Sequence, residues 1–297
     1  MLILLILVPI SLIILNIWLW LFDNIFQLEN NKLKIITITI AMGLISGLSI
    51  IMFPKIVSYL GYFNLDFTQQ TDNFKQQIRY FGIYLSCLII FFKLIISKFR
   101  FSKELLINFI LFSLLFIVIG FLGQNSITET ALKYYIFVAL GEEFVKFFLG
   151  ISFYEKYKIT DSDIIIFSIL SALGFAFIEN FVYVFTALNN YNGILQGIFG
   201  GISILISRGL IGFIVHTIFT GNIGLLNLKG LKSNFIIWAS IGIVLGVGLH
   251  YTYNLLLHNG YKSAILGALF IGYFWISFLF YNSDRIFVKE GIKYVYY

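Results

Sequence analysis

Stretches of about 20 apolar residues, the length an α-helix needs to cross a bilayer, recur nine times along this chain of 297 residues. They cover residues 1–22, 33–53, 78–97, 103–123, 131–153, 163–188, 203–226, 235–257 and 262–282. Few folds accept such a pattern. A backbone in lipid must satisfy its polar groups within its own segment, so the spans are helices. The composition agrees: 60% of residues are hydrophobic and 11% charged, against about a quarter charged in a soluble domain. The expected fold is all-α, a polytopic transmembrane bundle of about nine spans. The third span is interrupted by Lys93. The longest polar loop, 54–77, contains QQTDNFKQQ and suits the membrane surface.

Lys and Arg in the loops set the orientation. One set of alternate loops holds twelve: Lys32, Lys34, Lys98, Arg100, Lys103, Lys156, Lys158, Lys229, Lys232, Arg285, Lys289 and Lys293. The other set holds five: Lys55, Lys75, Arg79, Lys133 and Lys262. This asymmetry predicts an external N-terminus and a cytoplasmic C-terminus. It also accounts for the net charge of +6 without nucleic acid. Met1 runs directly into apolar sequence, so no cleavable signal peptide is expected. Cys87 is the only cysteine, which excludes intrachain disulfides and cysteine-based zinc sites.

Glycine divides the chain: 6 of 25 precede residue 131 and 19 follow. Small residues let helices approach closely in lipid. The expected organisation is accessory helices over 1–130, a close-packed functional core over 131–257, and a last helix with a cytoplasmic tail over 258–297.

Ionisable residues within spans are costly, about 2.5–3.5 kcal/mol each on insertion scales, and mark function. Here they concentrate in four consecutive spans of the core. The fifth has GEEFVKFF, with Glu142, Glu143 and Lys146; the sixth has Glu179 and Asn180. The seventh has Arg208 and His216, and the eighth has His250 and Asn254. Helical spacing turns them into faces. Glu142 and Lys146 stack four apart. Arg208, Gly212, His216, Thr220 and Gly224 form a stripe, as do Gly242, Gly246, His250 and Asn254. At 1.5 Å per residue, Glu142, Glu179, His216 and His250 lie roughly 16, 13, 20 and 11 Å from the outer boundary, close enough to one level to meet. His258 lies near the outer boundary, just beyond the eighth span, and reads as interfacial.

Carboxylates and imidazoles without a reactive cysteine or an HExxH run suggest activation of water. A buried glutamate could take its proton, and His250 with Asn254 could donate to an oxyanion. The same two-Glu, two-His set could instead hold a metal, because His₂Glu with an open position is a catalytic zinc arrangement. Lys146 and Arg208 would tune the charge of the carboxylates or simply neutralise them.

The ordered motifs EExxK (Glu142, Glu143, Lys146), FxxxEN (Phe175, Glu179, Asn180), RxxxxxxxH (Arg208, His216) and HxxxN (His250, Asn254) resemble the PrsW family of intramembrane proteases. That family is related to the CAAX prenyl endopeptidases and bacteriocin-processing membrane proteases. The resemblance spans about residues 130–257. It implies an endopeptidase of the plasma membrane that cuts a membrane-anchored protein, of the anti-sigma-factor type, near its extracytoplasmic side. Carried over by position, Glu142 is the water-activating base, with Glu143 either assisting or oriented by Lys146. His250 and Asn254 stabilise the oxyanion, and His216 falls on the family's extra histidine. Glu179 stands where the prenyl branch has a histidine, and Lys146 comes one step earlier than that branch's arginine. No motif carries two histidines at helical zinc spacing, so the expectation is metal-free glutamate chemistry with no cofactor, zinc being the alternative. The expected partners are a membrane-anchored protein substrate and the lipid bilayer, with no nucleic acid. The competing functions are a proton- or cation-coupled transporter and a CAAX-type prenyl-protein endopeptidase. A transporter would favour an internal repeat, and the sequence shows none.

Overall fold

A computed structural model describes residues 2–26, 37–47, 102–126, 130–157, 161–188 and 194–261, with isolated positions at 267, 270 and 274. The described residues are helical, with no strand among them. The elements are α1 (Leu2–Phe26), α2 (Thr37–Gly47), α3 (Lys103–Ser126), α4 (Thr130–Tyr157), α5 (Asp163–Leu188), α6 (Ile194–Leu231) and α7 (Phe235–His258). The spans expected at 78–97 and 262–282 fall outside the described residues, apart from the three isolated positions in the latter.

The segments Asp163–Phe185, Gln196–Leu231 and Phe235–His258 are each long and apolar enough to cross a membrane. α4 has the length, 28 residues, but its carboxylates and lysines dilute its apolarity. α6 departs most from expectation. It runs from Ile194 to Leu231, 38 residues, where hydropathy alone set limits of 203 and 226. Hydropathy marks where lipid begins and ends, whereas a helix continues as long as its backbone bonds do. At 1.5 Å per residue α6 is about 57 Å long, well beyond a hydrocarbon core of about 30 Å.

α4, α5, α6 and α7 close into a ring: α4 packs on α5, α5 on α6, α6 on α7, and α7 on α4. α4 also touches α6 across the ring. α1 leans on α6 and α5, and α3 on α4 and α7. The turn between α6 and α7 is three residues long, Lys232 to Asn234. There the Asn234 carboxamide oxygen accepts from the Ile237 N–H at 3.2 Å and caps α7. At the far end of the pair, Tyr135 of α4 and His258 share a hydrogen bond of 3.0 Å. His258 therefore links helix ends and stands apart from the polar core.

The small-residue stripes press against neighbours, as their pattern predicts. A methyl group on Gly246 would lie 2.9 Å from the Phe219 carbonyl oxygen and 2.6 Å from Ile223 Cγ1. Gly224 meets Ser168 of α5 in the same way. The closest approach lies outside the ring, where Gly43 of α2 and Gly174 of α5 touch backbone to backbone and leave no room for a Cβ. Two polar ties pin the outer helices. Asn108 of α3 donates to Asn227 of α6 at 2.8 Å, and the Trp18 indole of α1 donates to the Gly209 carbonyl at 2.9 Å. Between α3 and α4, Phe112, Phe144, Phe147 and Phe148 form an aromatic layer, with Phe112 and Phe144 edge to face at 5.3 Å.

Candidate active site

The ring brings the intramembrane ions to one level, and helix lengths explain why. Glu142 is 15 residues from the end of α4 (142 to 157). Glu179 is 16 from the start of α5 (163 to 179). His216 is 15 from the end of α6 (216 to 231), and His250 is 15 from the start of α7 (235 to 250). All four therefore stand about 22–24 Å from the same end of the bundle. This agreement is tighter than that from apolar boundaries, because the short turns are a better ruler than the edges of hydropathy.

Lys146 lies at the centre, fully buried. Its ammonium is hydrogen-bonded to Glu143 Oε1, contacts His216 Nδ1 at 2.9 Å, and stands 3.9 Å from Glu142 Oε2. It also lies over the Phe175 ring, 4.8 Å from its centroid. Spacing along α4 offers Lys146 either carboxylate, Glu142 four residues away or Glu143 three away. The fold chooses Glu143, three residues away, because Glu143 points inward toward α6 and α7.

Glu143 is saturated. Besides Lys146, its Oε1 meets His250 Nδ1 at 2.8 Å, and its Oε2 accepts from the Thr220 hydroxyl at 2.7 Å. A carboxylate only accepts, so His250 carries its proton on Nδ1 and leaves Nε2 bare. By the same logic, Glu179 Oε2, 2.8 Å from His216 Nε2, takes that N–H. His216 Nδ1 is then the acceptor for Lys146. The rings of His216 and His250 meet edge to face at 5.4 Å, and Phe219 stacks on His250 at 5.1 Å.

Glu142 is the exception. Its Oε2 is buried and has no hydrogen-bond partner. It lies 3.6 Å from His250 Nε2, beyond hydrogen-bonding range. Two electron-pair donors thus face each other, with the Lys146 ammonium 3.9 Å from the carboxylate oxygen, an arrangement suited to a proton, a water or a cation. Single ligand atoms of Glu142, His216 and His250 all lie within 4.8 Å of one another. Tetrahedral zinc holds nitrogen and oxygen at about 2.0–2.2 Å, which sets its ligand atoms about 3.4 Å apart. The Glu142–His250 pair is already near that spacing at 3.6 Å, and the widest pair of the trio, within 4.8 Å, would have to close by about 1.4 Å. The donor set, two imidazoles and a carboxylate, suits a divalent ion of this kind.

Exposure grades outward through the cluster. The side chains of Glu143 and Lys146 are 0% accessible, Glu142 12%, Glu179 17% and Arg208 24%. The mouth therefore lies toward Arg208, at the C-terminal end of α5. Asn254 sits one turn beyond His250 in that direction, half-buried. Among the described residues its amide makes no hydrogen bond, so it is not tied into the cluster. Thr220 and Asn180 belong to the site but were not singled out for it. Thr220 was visible as the position after His216 on the same stripe. Asn180, legible in the FxxxEN motif as a residue that could bridge helices, does so by accepting from Arg208 across the α5–α6 contact.

A family model described as PrsW family intramembrane metalloprotease matches residues 99–281. The match takes in α3 to α7 and every polar residue of the cluster. No curated protein and no solved structure matches the chain.

Proposed function

The chain belongs to the PrsW family of intramembrane metalloproteases, and from that premise we propose that it hydrolyses a peptide bond of a membrane-anchored protein with water activated at Glu142. It is an integral membrane protein and a membrane protease by family. The bond cut, the residues that cut it and the substrate are our reading. The observation that carries it is the Glu142 carboxylate, whose buried Oε2 accepts no hydrogen bond among the described residues and stands 3.6 Å from His250 Nε2 inside a ring of helices.

In this reading Glu142 takes the proton of the attacking water and returns it to the leaving amine. Glu143 and Glu179 fix the tautomers of His250 and His216. Lys146 keeps two adjacent carboxylates tolerable at this depth. Asn254, whose amide makes no hydrogen bond among the described residues, donates to the oxyanion. A divalent ion would be held by Glu142, His250 and His216, the last through the Nδ1 that Lys146 contacts, so the ammonium would have to give way to it. When bound it would supply a Lewis acid that lowers the pKa of water and polarises the carbonyl, easing the demand on the carboxylate as base. Single-helix spacing had favoured metal-free chemistry. A donor set drawn from three helices favours a metal.

The remaining expectations belong to the same proposal: nine spans, an external N-terminus, a cytoplasmic C-terminus and a plasma-membrane location. The twelve-to-five division of loop cations supports the orientation. That orientation puts the ends of α4 and α6 in the cytoplasm and the mouth of the site on the outer side. Cleavage near the extracytoplasmic face of an anti-sigma-factor type substrate is consistent with this geometry. Co-expression with a tagged single-span substrate tests the function. Glu142→Gln is expected to abolish cleavage at unchanged protein level, and full cleavage by that variant would end the proposal.

A further inference from the structure

Arg208 is gripped by one face of α5. Its Nη2 lies 3.0 Å from Glu179 Oε2, its Nε donates to Asn180 Oδ1 at 3.3 Å, and its guanidinium carbon stacks 3.5 Å from the centroid of the Tyr183 ring. Glu179, Asn180 and Tyr183 occupy positions i, i+1 and i+4 of α5, so they form one cradle. The Glu179 oxygen that Arg208 holds is the one that meets His216 Nε2 at 2.8 Å. One carboxylate oxygen therefore joins a guanidinium to an imidazole. Arg208 and His216 are eight residues apart on α6 (208 to 216), more than two turns, and do not touch directly.

We propose that Arg208 is a positioning residue: it clamps Glu179 so that His216 keeps its Nε2–H tautomer and presents Nδ1 to the centre of the site. The guanidinium suits this task better than an ammonium would. Its planar fork makes two directed bonds and a ring stack at once, whereas a lysine offers a point charge. Without the clamp, Glu179 is 17% accessible at the mouth of the site and is free to turn outward toward water. His216 then loses the acceptor that fixes its proton. Partners of this kind, one step behind a reactive or ligating imidazole, commonly contribute about 10–100-fold to activity or metal affinity.

The effect on turnover rests on the proteolytic reading above; the effect on the imidazole does not. With three histidines in the chain, ¹⁵N-histidine labelling of the full-length protein in detergent gives three resolvable ring-nitrogen pairs. His216→Gln assigns the pair of interest. Wild type is expected to show His216 as a single Nε2–H tautomer, and Arg208→Gln a mixture of both. Arg208→Lys, which keeps the charge without the fork, is expected to restore the single tautomer in part and serves if the glutamine variant folds poorly. For cleavage, Arg208→Gln is expected to lower kcat by about 10–100-fold with KM little changed. The double variant with Glu179→Gln should be no worse than Glu179→Gln alone. An unchanged His216 tautomer in Arg208→Gln, or losses that simply add in the double variant, would overturn the inference. A shifted tautomer in a protein that cleaves nothing would uphold the clamp and remove the proteolytic reading instead.

Discussion

His216 and His250 lie the same number of residues from the turn that joins their helices, and their rings meet edge to face 5.4 Å apart. Neither histidine could be reached by the other along a single helix. The three-residue turn at Lys232–Asn234 brings them to one level, and Gly242 and Gly246 let the two helices come close enough for the rings to touch. The chemistry of the core follows from that pairing.

The two adjacent glutamates should part company on mutation. Glu143 is bonded to Lys146, Thr220 and His250, and removing its charge leaves a buried ammonium without its main partner. Glu143→Gln is expected to cost about 3–5 kcal/mol of stability. Glu142→Gln removes a carboxylate whose buried Oε2 accepts no hydrogen bond among the described residues. It should leave stability unchanged or slightly raised while abolishing cleavage. Thermal unfolding in detergent, run beside the substrate assay, separates the two.

Thr220 offers a finer test of the same carboxylate. Thr220→Val keeps the shape but takes away the hydroxyl that donates to Glu143 at 2.7 Å. The expected loss is about 1–3 kcal/mol, because the acceptor is buried and charged. Thr220→Ser should retain most of the stability. Equal losses for valine and serine would argue that packing, rather than the hydrogen bond, is what Thr220 contributes.

The ion-binding part of the proposal predicts about one divalent ion per chain in protein purified without chelator. His216→Ala, His250→Ala and Glu142→Ala should each deplete it, since each removes one of three donors. Asn254→Ala should reduce cleavage and leave the ion content unchanged. Elemental analysis of the purified variants reads this directly, and wild-type protein that is fully active without any bound ion would restore metal-free chemistry.

Two glycines on one helix provide a packing control. Gly246 faces Phe219 and Ile223 at contact distance, whereas nothing lies within 4 Å of a methyl group placed on Gly248. Gly246→Ala is expected to destabilise by about 1–3 kcal/mol through overpacking. Gly248→Ala should be neutral or mildly stabilising, as helix propensity alone favours alanine by about 1 kcal/mol. Both substitutions are read by thermal unfolding.

Much of the site could be read from the residues themselves, because ions within apolar spans stand out against their surroundings. Glu142, Glu143, Lys146, Glu179, Arg208, His216 and His250 do converge. The pairing among them was less legible. Spacing along α4 allowed Lys146 either carboxylate, and only the direction of α6 and α7 decided for Glu143. A donor set drawn from several helices was legible only as an alternative: zinc spacing is recognisable within one helix, and here each donor comes from a different one. Thr220 stands on the His216 stripe, but its role there was not legible, because a threonine in a helix commonly bonds its own backbone and announces nothing about a partner on α4. The length of α6 escaped because apolarity ends before the helix does.

The shared distance of the four site residues from one end of the bundle also sets rules for how this chain can drift. Each helix turns 100° per residue, so inserting or deleting one residue between a site residue and its nearest turn swings that side chain out of the ring. Three or four residues restore the angle but move the level by about 5 Å, roughly the separation of the two imidazoles. Length changes in the core are therefore confined to the connections, and within α4 to α7 the chain is free to vary only by substitution.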